Sequence, residues 1–534
     1  MIALLAFFWY VRTARQLAFA VYLWQLKEYH IGRFLDYFKT LKGKRALFHP
    51  FAAAKVFLLL LWFIIPTASA VLLLALYAVE TGLALLAYKT GRLLLPVVTS
   101  KTTVLLFSTQ FVQGFFAALV LVVFPYYTVP ALLLFDVFVL LVGSAVVLLW
   151  QPYTVFMRFR ILKKAKAKRK ELQQLKVVGI TGSYGKTSTK DMLAHVLSSR
   201  FMTVKTPEHR NSEVGVAKTI LYDVTNEHEV FVCEMGAYGK GGITLLAEIA
   251  QPNIGVVAGV NDQHLSLFGS RENLLSAEGG GELAQALPKG APYIVNYDSV
   301  PLREYAQGSK NVVWCSAKEK KDVWARNVAV AKESLSFTLV ARDTEEKVEA
   351  RLLGAWNVEN MVLAAAAALE LGVSVKEVAQ GLSSLPAELG SMQKKKGKGF
   401  TQPQRPGAGF TILDSSYSAN PDGVLAALEH LKLWDKRRVV VMPPLIELGS
   451  AAKEAHEKIG EKIAECADYA IITGKDYKED ILKGVEKGNM SRDSIFFLEN
   501  AGEIADKVLR IVQEGDVVLL EGRVPSGLLS QLQS

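Results

Sequence analysis

Only three cysteines, Cys233, Cys315 and Cys466, occur in the 534 residues, and they lie far apart. Their odd number and spacing exclude a disulfide framework. With no CxxC pair or Cys/His cluster, a structural zinc site is excluded too, leaving reduced thiols in a cytosolic compartment. Charge is also sparse: 21% of residues are charged against 51% hydrophobic, with a mean hydropathy of +0.23. That balance excludes a disordered or fibrous chain, and the length accommodates two to four domains. Between residues 51 and 150 the only charged side chains are Lys55, Glu80, Lys89, Arg92, Lys101 and Asp136, and residues 158–170 hold eight basic residues and no acidic one. The formal net charge of +10 is therefore unevenly spread: the first 170 residues carry +16 and the remaining 364 carry −6. A greasy, basic third joined to a mildly acidic remainder argues against nucleic acid as a partner.

Long hydrophobic runs are confined to that first third. The stretches 103–124 and 129–150 are long enough to cross a bilayer as single helices, and a short aromatic link (Pro125, Tyr126, Tyr127, Thr128) joins them. The stretch 51–88 is too long for one untilted helix and is broken near Pro66, so it reads as a second hairpin. Basic residues cluster at 27–45, 89–101 and 158–170. The positive-inside rule places all three clusters in the cytoplasm, which needs an even number of crossings between them. The expectation is a multi-pass inner-membrane region of four transmembrane helices, with basic flanks touching membrane lipid and the rest of the chain in the cytoplasm. Residues 2–24, apolar but holding Arg12 and Arg15, read either as an interfacial helix or as a poor extra span.

Beyond residue 170 the pattern changes. The β-branched run Lys-Val-Val-Gly-Ile-Thr at 176–181 is followed by Gly182, Ser183, Tyr184, Gly185, Lys186, Thr187 and Ser188, then by a helical stretch. A strand, a glycine loop and a helix opening on Lys-Thr hold a nucleoside triphosphate: backbone N–H groups face the anion, the lysine neutralises it and the hydroxyl binds Mg²⁺. An ordinary Walker A loop needs a glycine where Ile180 stands, so this is a shorter GxxGKT form. Residues 231–237 read as a buried strand delivering Glu234 at its C-terminal end, where α/β sheets place ligands. Short β-branched strands alternating with alanine-rich helices predict an α/β class with a parallel sheet.

This loop, the Glu-Met-Gly-Ala run from Glu234, the stretch Asn-Asp-Gln-His-Leu-Ser-Leu-Phe-Gly-Ser at 261–270, Asn-Val-Glu-Asn at 357–360 and Asp-Ser-Ser-Tyr-Ser-Ala-Asn-Pro at 414–421 together resemble the ATP-dependent Mur ligase superfamily. The resemblance covers roughly residues 175–530 and is strongest to the branch that adds D-alanyl-D-alanine to a UDP-N-acetylmuramoyl tripeptide. It implies amide-bond formation in peptidoglycan precursor synthesis, in which a carboxylate attacks ATP and an amine traps the acyl phosphate. ATP and Mg²⁺ would be the cofactors, and a muramoyl-peptide or lipid-linked precursor and an amino acid or dipeptide the partners. By resemblance Gly182, Ser183, Gly185, Lys186, Thr187 and Ser188 hold the phosphates, Thr187 and Glu234 one Mg²⁺, and His264 a second. Lys186, Glu234 and His264 are then the catalytic set. Asn360 contacts the adenine side and Asp414 closes onto the nucleotide, while Tyr417, Asn420 and Asn211 bind substrate.

Departures from the family are informative. Where it carries a carbamylated lysine for the second Mg²⁺, either Glu278 or Gly280 falls here, and Glu278 would supply a carboxylate directly. Trp356, Ser391 and Glu521 replace a usual histidine, arginine and lysine. The soluble domain that grips a uridine nucleotide in the family gives way to the apolar region. The resulting expectation is a membrane region at 1–170, a central P-loop ATP-binding domain at 171–385 and a smaller Rossmann-like α/β domain at 386–534. Two alternatives stay open: a ligase for another acceptor, lipid-linked or polyglutamate-type, and an ATP-binding membrane scaffold without ligase activity.

Overall fold

The computed structural model describes residues 1–534 except positions 28, 39, 41, 42, 45, 47, 48, 90–92, 209, 399–408, 417, 418, 447, 489 and 534. The chain forms two compact units, Met1–Phe159 and Arg160–Ser534.

The regular elements of the first unit are helices, among its described residues. Its opening helix, Ile2–Leu26, is a core element, burying Leu5, Trp9, Leu17 and Trp24. Among the described residues three helices, Pro66–Lys89, Ser100–Val123 and Val139–Glu171, are long and apolar enough to cross a membrane, not the four expected. Two local causes account for the difference. Pro66 starts a new helix, leaving Pro50–Trp62 with 13 residues, about 20 Å at 1.5 Å per residue against a hydrocarbon thickness of about 30 Å. The stretch expected as one span at 129–150 is interrupted at Phe138, between Thr128–Val137 and Val139–Leu149.

The second unit carries two sheets. Strands β1 (Lys176–Thr181), β2 (Thr203–Lys205), β3 (Val230–Glu234), β4 (Ile254–Val257), β5 (Tyr293–Asn296), β6 (Val312–Ser316), β7 (Val323–Val330), β8 (Leu335–Ala341) and β9 (Thr344–Ala350) form a nine-stranded sheet in the order β2-β3-β1-β4-β5-β6-β7-β8-β9. It is parallel through β7 and ends in the antiparallel β7-β8-β9 meander. The α/β expectation holds. β1 and β3 are buried almost throughout, as central parallel strands must be. The alanine-rich helix Trp356–Glu370 is buried along most of its length, its small side chains allowing close approach to the Lys186–Leu197 helix.

The second sheet runs β10 (Gln393–Lys398), β11 (Gly409–Ser415), β15 (Val517–Glu521), β12 (Arg438–Met442), β13 (Tyr469–Ile472) and β14 (Ile495–Phe497), parallel except for β10 at the edge. Lys394–Lys398, whose lysine-rich sequence suggests a solvated loop, thus forms most of an edge strand, a position where lysine is favoured. All three cysteines are buried free thiols.

Candidate active site

The glycine loop sits between the C-terminal end of β1 and the Lys186–Leu197 helix, with β3 and β4 on either side of β1. Gly185 adopts φ +79°, and a Cβ there would lie 2.6 Å from Asn360 Oδ1, so both conformation and close approach demand glycine. Ser183 N–H donates to Gly259 O at 2.7 Å, anchoring the loop to the end of β4. The Lys186 ammonium folds back onto the Gly182 carbonyl and, at 3.2 Å, the Ser183 carbonyl, which keeps it at the mouth of the loop.

Two buried carboxylates flank this lysine. Glu234, 5% exposed at the end of β3, accepts from Thr187 Oγ1 at 3.1 Å, Asn211 Nδ2 at 2.9 Å and Lys190 Nζ at 3.1 Å. Burial pushes its carboxyl up, but Lys190, Lys186 and the Asn211 hydrogen bond prevail and hold it below the usual carboxylate range. Glu278, 2% exposed, accepts from Ser183 Oγ at 2.7 Å and lies 3.0 Å from His264 Nδ1. It too is held low against the upward push of burial, by the His264 hydrogen bond, Lys186 and Ser183. In this structure the carboxylate beside His264 is that of Glu278. The Arg271–Ala277 helix stops at Glu278, and Gly280 follows at φ +83° with a would-be Cβ 2.4 Å from Val257 and 2.5 Å from the Tyr293 hydroxyl. No side chain fits at 280, and the carboxylate in contact with His264 is Glu278.

The remaining predicted residues separate into those near the loop and those elsewhere. Asn360 lies against it, but its Oδ1 accepts from Thr189 Oγ1 at 3.3 Å. Asn211 is spent on Glu234. Asn420 caps the Pro421–Leu431 helix and accepts from Asn261 Nδ2 at 2.8 Å, while Gln263, beside His264, donates to Ala419 O at 3.3 Å. These contacts bring the second sheet's loop onto the His264 loop. Asp414 is tied within its own sheet, to Lys395 at 2.5 Å and to Ser416 N–H at 3.1 Å. Ser188 opens the phosphate-loop helix beside Thr187. Tyr417 lies outside the described residues. His456 is buried and spent on backbone, accepting from Leu445 N–H at 2.9 Å and bonded to Ala452 O. Sequence reasoning missed Lys190, whose signal was its place one helical turn beyond Lys186 on the same face.

A short glycine loop at the C-terminal edge of a parallel sheet, with two ionised carboxylates around its lysine, defines a nucleotide-binding α/β protein with a site built for hard cations. The comparisons narrow the class. Residues 180–368 match the Mur ligase middle domain and residues 402–524 the Mur ligase glutamate ligase domain. The chain is 32% identical over 402 residues, 69% of its length and 75% of the relative's, to a UDP-N-acetylmuramoyl-tripeptide–D-alanyl-D-alanine ligase of Mycobacterium leprae. It is 37% identical over 295 residues to the enzyme of that name from Mycobacterium bovis, and there it spans little more than half of the relative, 56%, and 54% of itself. A MurF ligase structure from Thermotoga maritima in complex with ADP superposes with a TM-score of 0.60 at 26% identity, covering 70% of this chain and 84% of the other. This chain belongs to the Mur ligase family.

The comparisons also correct the expected location. Likeness to proteins named as UDP-N-acetylmuramoyl-tripeptide–D-alanyl-D-alanine ligases and MurF does not support the expected multi-pass inner-membrane location. The apolar helices of the first unit qualify as spans by length and composition only.

Proposed function

We propose that this chain is an ATP-dependent ligase of peptidoglycan precursor synthesis that joins D-alanyl-D-alanine to a UDP-muramoyl tripeptide through an acyl phosphate. Residues 171–385 form its ATP-binding domain and 386–534 its C-terminal domain. The observation that carries this reading is the pair Glu234 and Glu278, both buried, both held ionised, on either side of the Lys186 loop. A single-cation phosphate site needs one such carboxylate. Two match a reaction in which a substrate carboxylate must approach a triphosphate.

The donor set fits Mg²⁺: Thr187 hydroxyl and Glu234 carboxylate form one group, Glu278 carboxylate and His264 imidazole another. Mg²⁺ there supplies positive charge that offsets repulsion between the two anionic substrates. Lys186 adds a fixed cation at the phosphate end, and the loop N–H groups orient the triphosphate. Asn261, Gln263 and Asn420 hold the C-terminal domain over the acceptor side, where the amine arrives.

The test is phosphate release from ATP with D-alanyl-D-alanine and a UDP-muramoyl tripeptide or its lipid-linked form. Release that requires both substrates supports the proposal, and release only with another acceptor, or with none, overturns it. Lys186→Ala should lower the rate by about a hundredfold or more, the loss expected for a charge-stabilising group at a phosphoryl site.

A further inference from the structure

Lys190 is a buried cation that the reaction as described does not use. Its side chain is 0% exposed, and its ammonium lies 3.1 Å from Glu234 Oε2 and 3.6 Å from Asp191 Oδ1. Asp191 in turn is paired with Lys205 at 2.8 Å, so Glu234 is left as the main partner of Lys190, which among the described residues is the cation in direct contact with it while Lys186 acts at longer range. The other contacts of Glu234 are neutral: Thr187, Asn211, and its own N–H donating to Thr206 Oγ1 at 2.9 Å. Lys190 stands on the phosphate-loop helix one turn past Lys186, its ammonium on Glu234 at the end of β3 while that of Lys186 turns back onto the loop.

A lysine fully withdrawn from water beside a carboxylate that is to hold a divalent cation acts in two directions. With no cation bound, it supplies the charge that keeps a buried carboxylate from being left unpaired, a costly state. With a cation bound, it stands as a like charge next to that ion and weakens its hold. We propose that Lys190 is a positioning residue that serves as an internal stand-in for the cation, preforming Glu234 in the empty site and lowering the affinity of the filled one so that cation and nucleotide product can leave. The proposal rests on the reading of Glu234 as a cation ligand.

The sign of the effect separates this role from plain structural support. Loss of a residue that merely braces Glu234 would weaken cation binding, whereas loss of a competing charge strengthens it. The experiment measures Mn²⁺ binding by paramagnetic resonance of the free ion, with the full chain and a non-hydrolysable ATP analogue, for wild type, Lys190→Gln and Lys190→Arg. Gln keeps a hydrogen-bond donor for Glu234 without the charge, and Arg keeps the charge. Lys190→Gln is expected to bind Mn²⁺ about tenfold tighter and Lys190→Arg within about twofold of wild type. Thermal unfolding gives a second readout: Lys190→Gln should be less stable than wild type without cation and gain more on Mn²⁺ addition. Unchanged or weaker Mn²⁺ binding by Lys190→Gln, with wild type binding normally, overturns the proposal alone. Absence of Mn²⁺ binding by wild type overturns the reading of Glu234 and the proposal with it.

Discussion

At the residue scale, two glutamates show how burial decides what a carboxyl does. Glu278 is buried yet ionised because His264, Lys186 and Ser183 surround it, and it needs no modification to present an anion. Glu278→Ala is expected to abolish acyl-phosphate formation, read as hydroxamate after trapping with hydroxylamine, by about a hundredfold or more; undiminished trapping would remove it from the site. Glu521, at the end of β15, is buried with one oxygen lacking a hydrogen-bond partner, and burial raises its carboxyl to about 8, only partly opposed by Ser415. The folded chain therefore binds a proton that the unfolded chain releases near pH 4.5. Stability from this residue is flat below that pH, falls as pH rises through the interval to about 8, and is flat again above it. Glu521→Gln should match wild type at pH 4 and exceed it progressively up to pH 8, gaining at most about 1.4 kcal/mol for each pH step of one across that interval. Thermal unfolding of both proteins across that range is the check. Part of this scale was legible in advance. The spacing of Gly182, Gly185, Lys186 and Thr187 is a local pattern with one structural solution, whereas the choice between Glu278 and Gly280 turns on where a helix stops. The spending of Asn211 on Glu234 depends on a loop meeting a strand, which no spacing records.

At the element scale, the parallel sheets were readable because buried strands are short, β-branched and bounded by turn residues. The helix start at Asn420–Pro421 was not read in advance, although its chemistry is local: asparagine caps, and proline suits the first turn. The interruption at Phe138 was not readable at all. No proline or glycine marks it, and helix Val139–Leu149 resumes at once. Asn420 also shows one element serving two purposes, since the oxygen that accepts from Gly423 N–H at 3.0 Å also accepts from Asn261. Substitution separates them. Asn420→Ser retains a capping oxygen on a shorter arm, so the midpoint of unfolding should stay close to wild type while KM for the dipeptide rises as the Asn261 contact is lost. Asn420→Ala loses both and should cost about 1 kcal/mol of stability in addition. Steady-state kinetics alongside thermal unfolding distinguishes the two, and a Ser variant with unaltered KM would show that the Asn261 bridge does not shape the acceptor side.

At the scale of the whole molecule, the uneven charge read from the sequence resolves into two different uses. In the second unit, cations gather at the phosphate loop. In the first, the few charges that looked isolated along the chain converge: Lys55 lies 2.6 Å from Glu80 and 3.1 Å from Asp136, Arg12 lies 3.0 Å from Glu80, and Arg12 also pairs with Asp136. The four belong to four helices and are at most 9% exposed as side chains, so the group is a neutral knot of two cations and two anions inside an apolar bundle. Such a knot adds little net stability over a well-packed apolar core, but breaking it leaves an uncompensated buried charge. Lys55→Met therefore leaves two carboxylates facing one guanidinium and should destabilise the first unit by about 3–5 kcal/mol. Lys55→Met combined with Glu80→Gln restores neutrality and should recover much of that loss, a non-additivity that contacting residues show and distant ones do not. Hydrogen exchange on residues 1–159 is the measurement, since it reports the opening of this unit separately from the second. Equal protection in the single and double variants would mean that the four charges are not coupled; recovery in the double would show that they act as one coupled group.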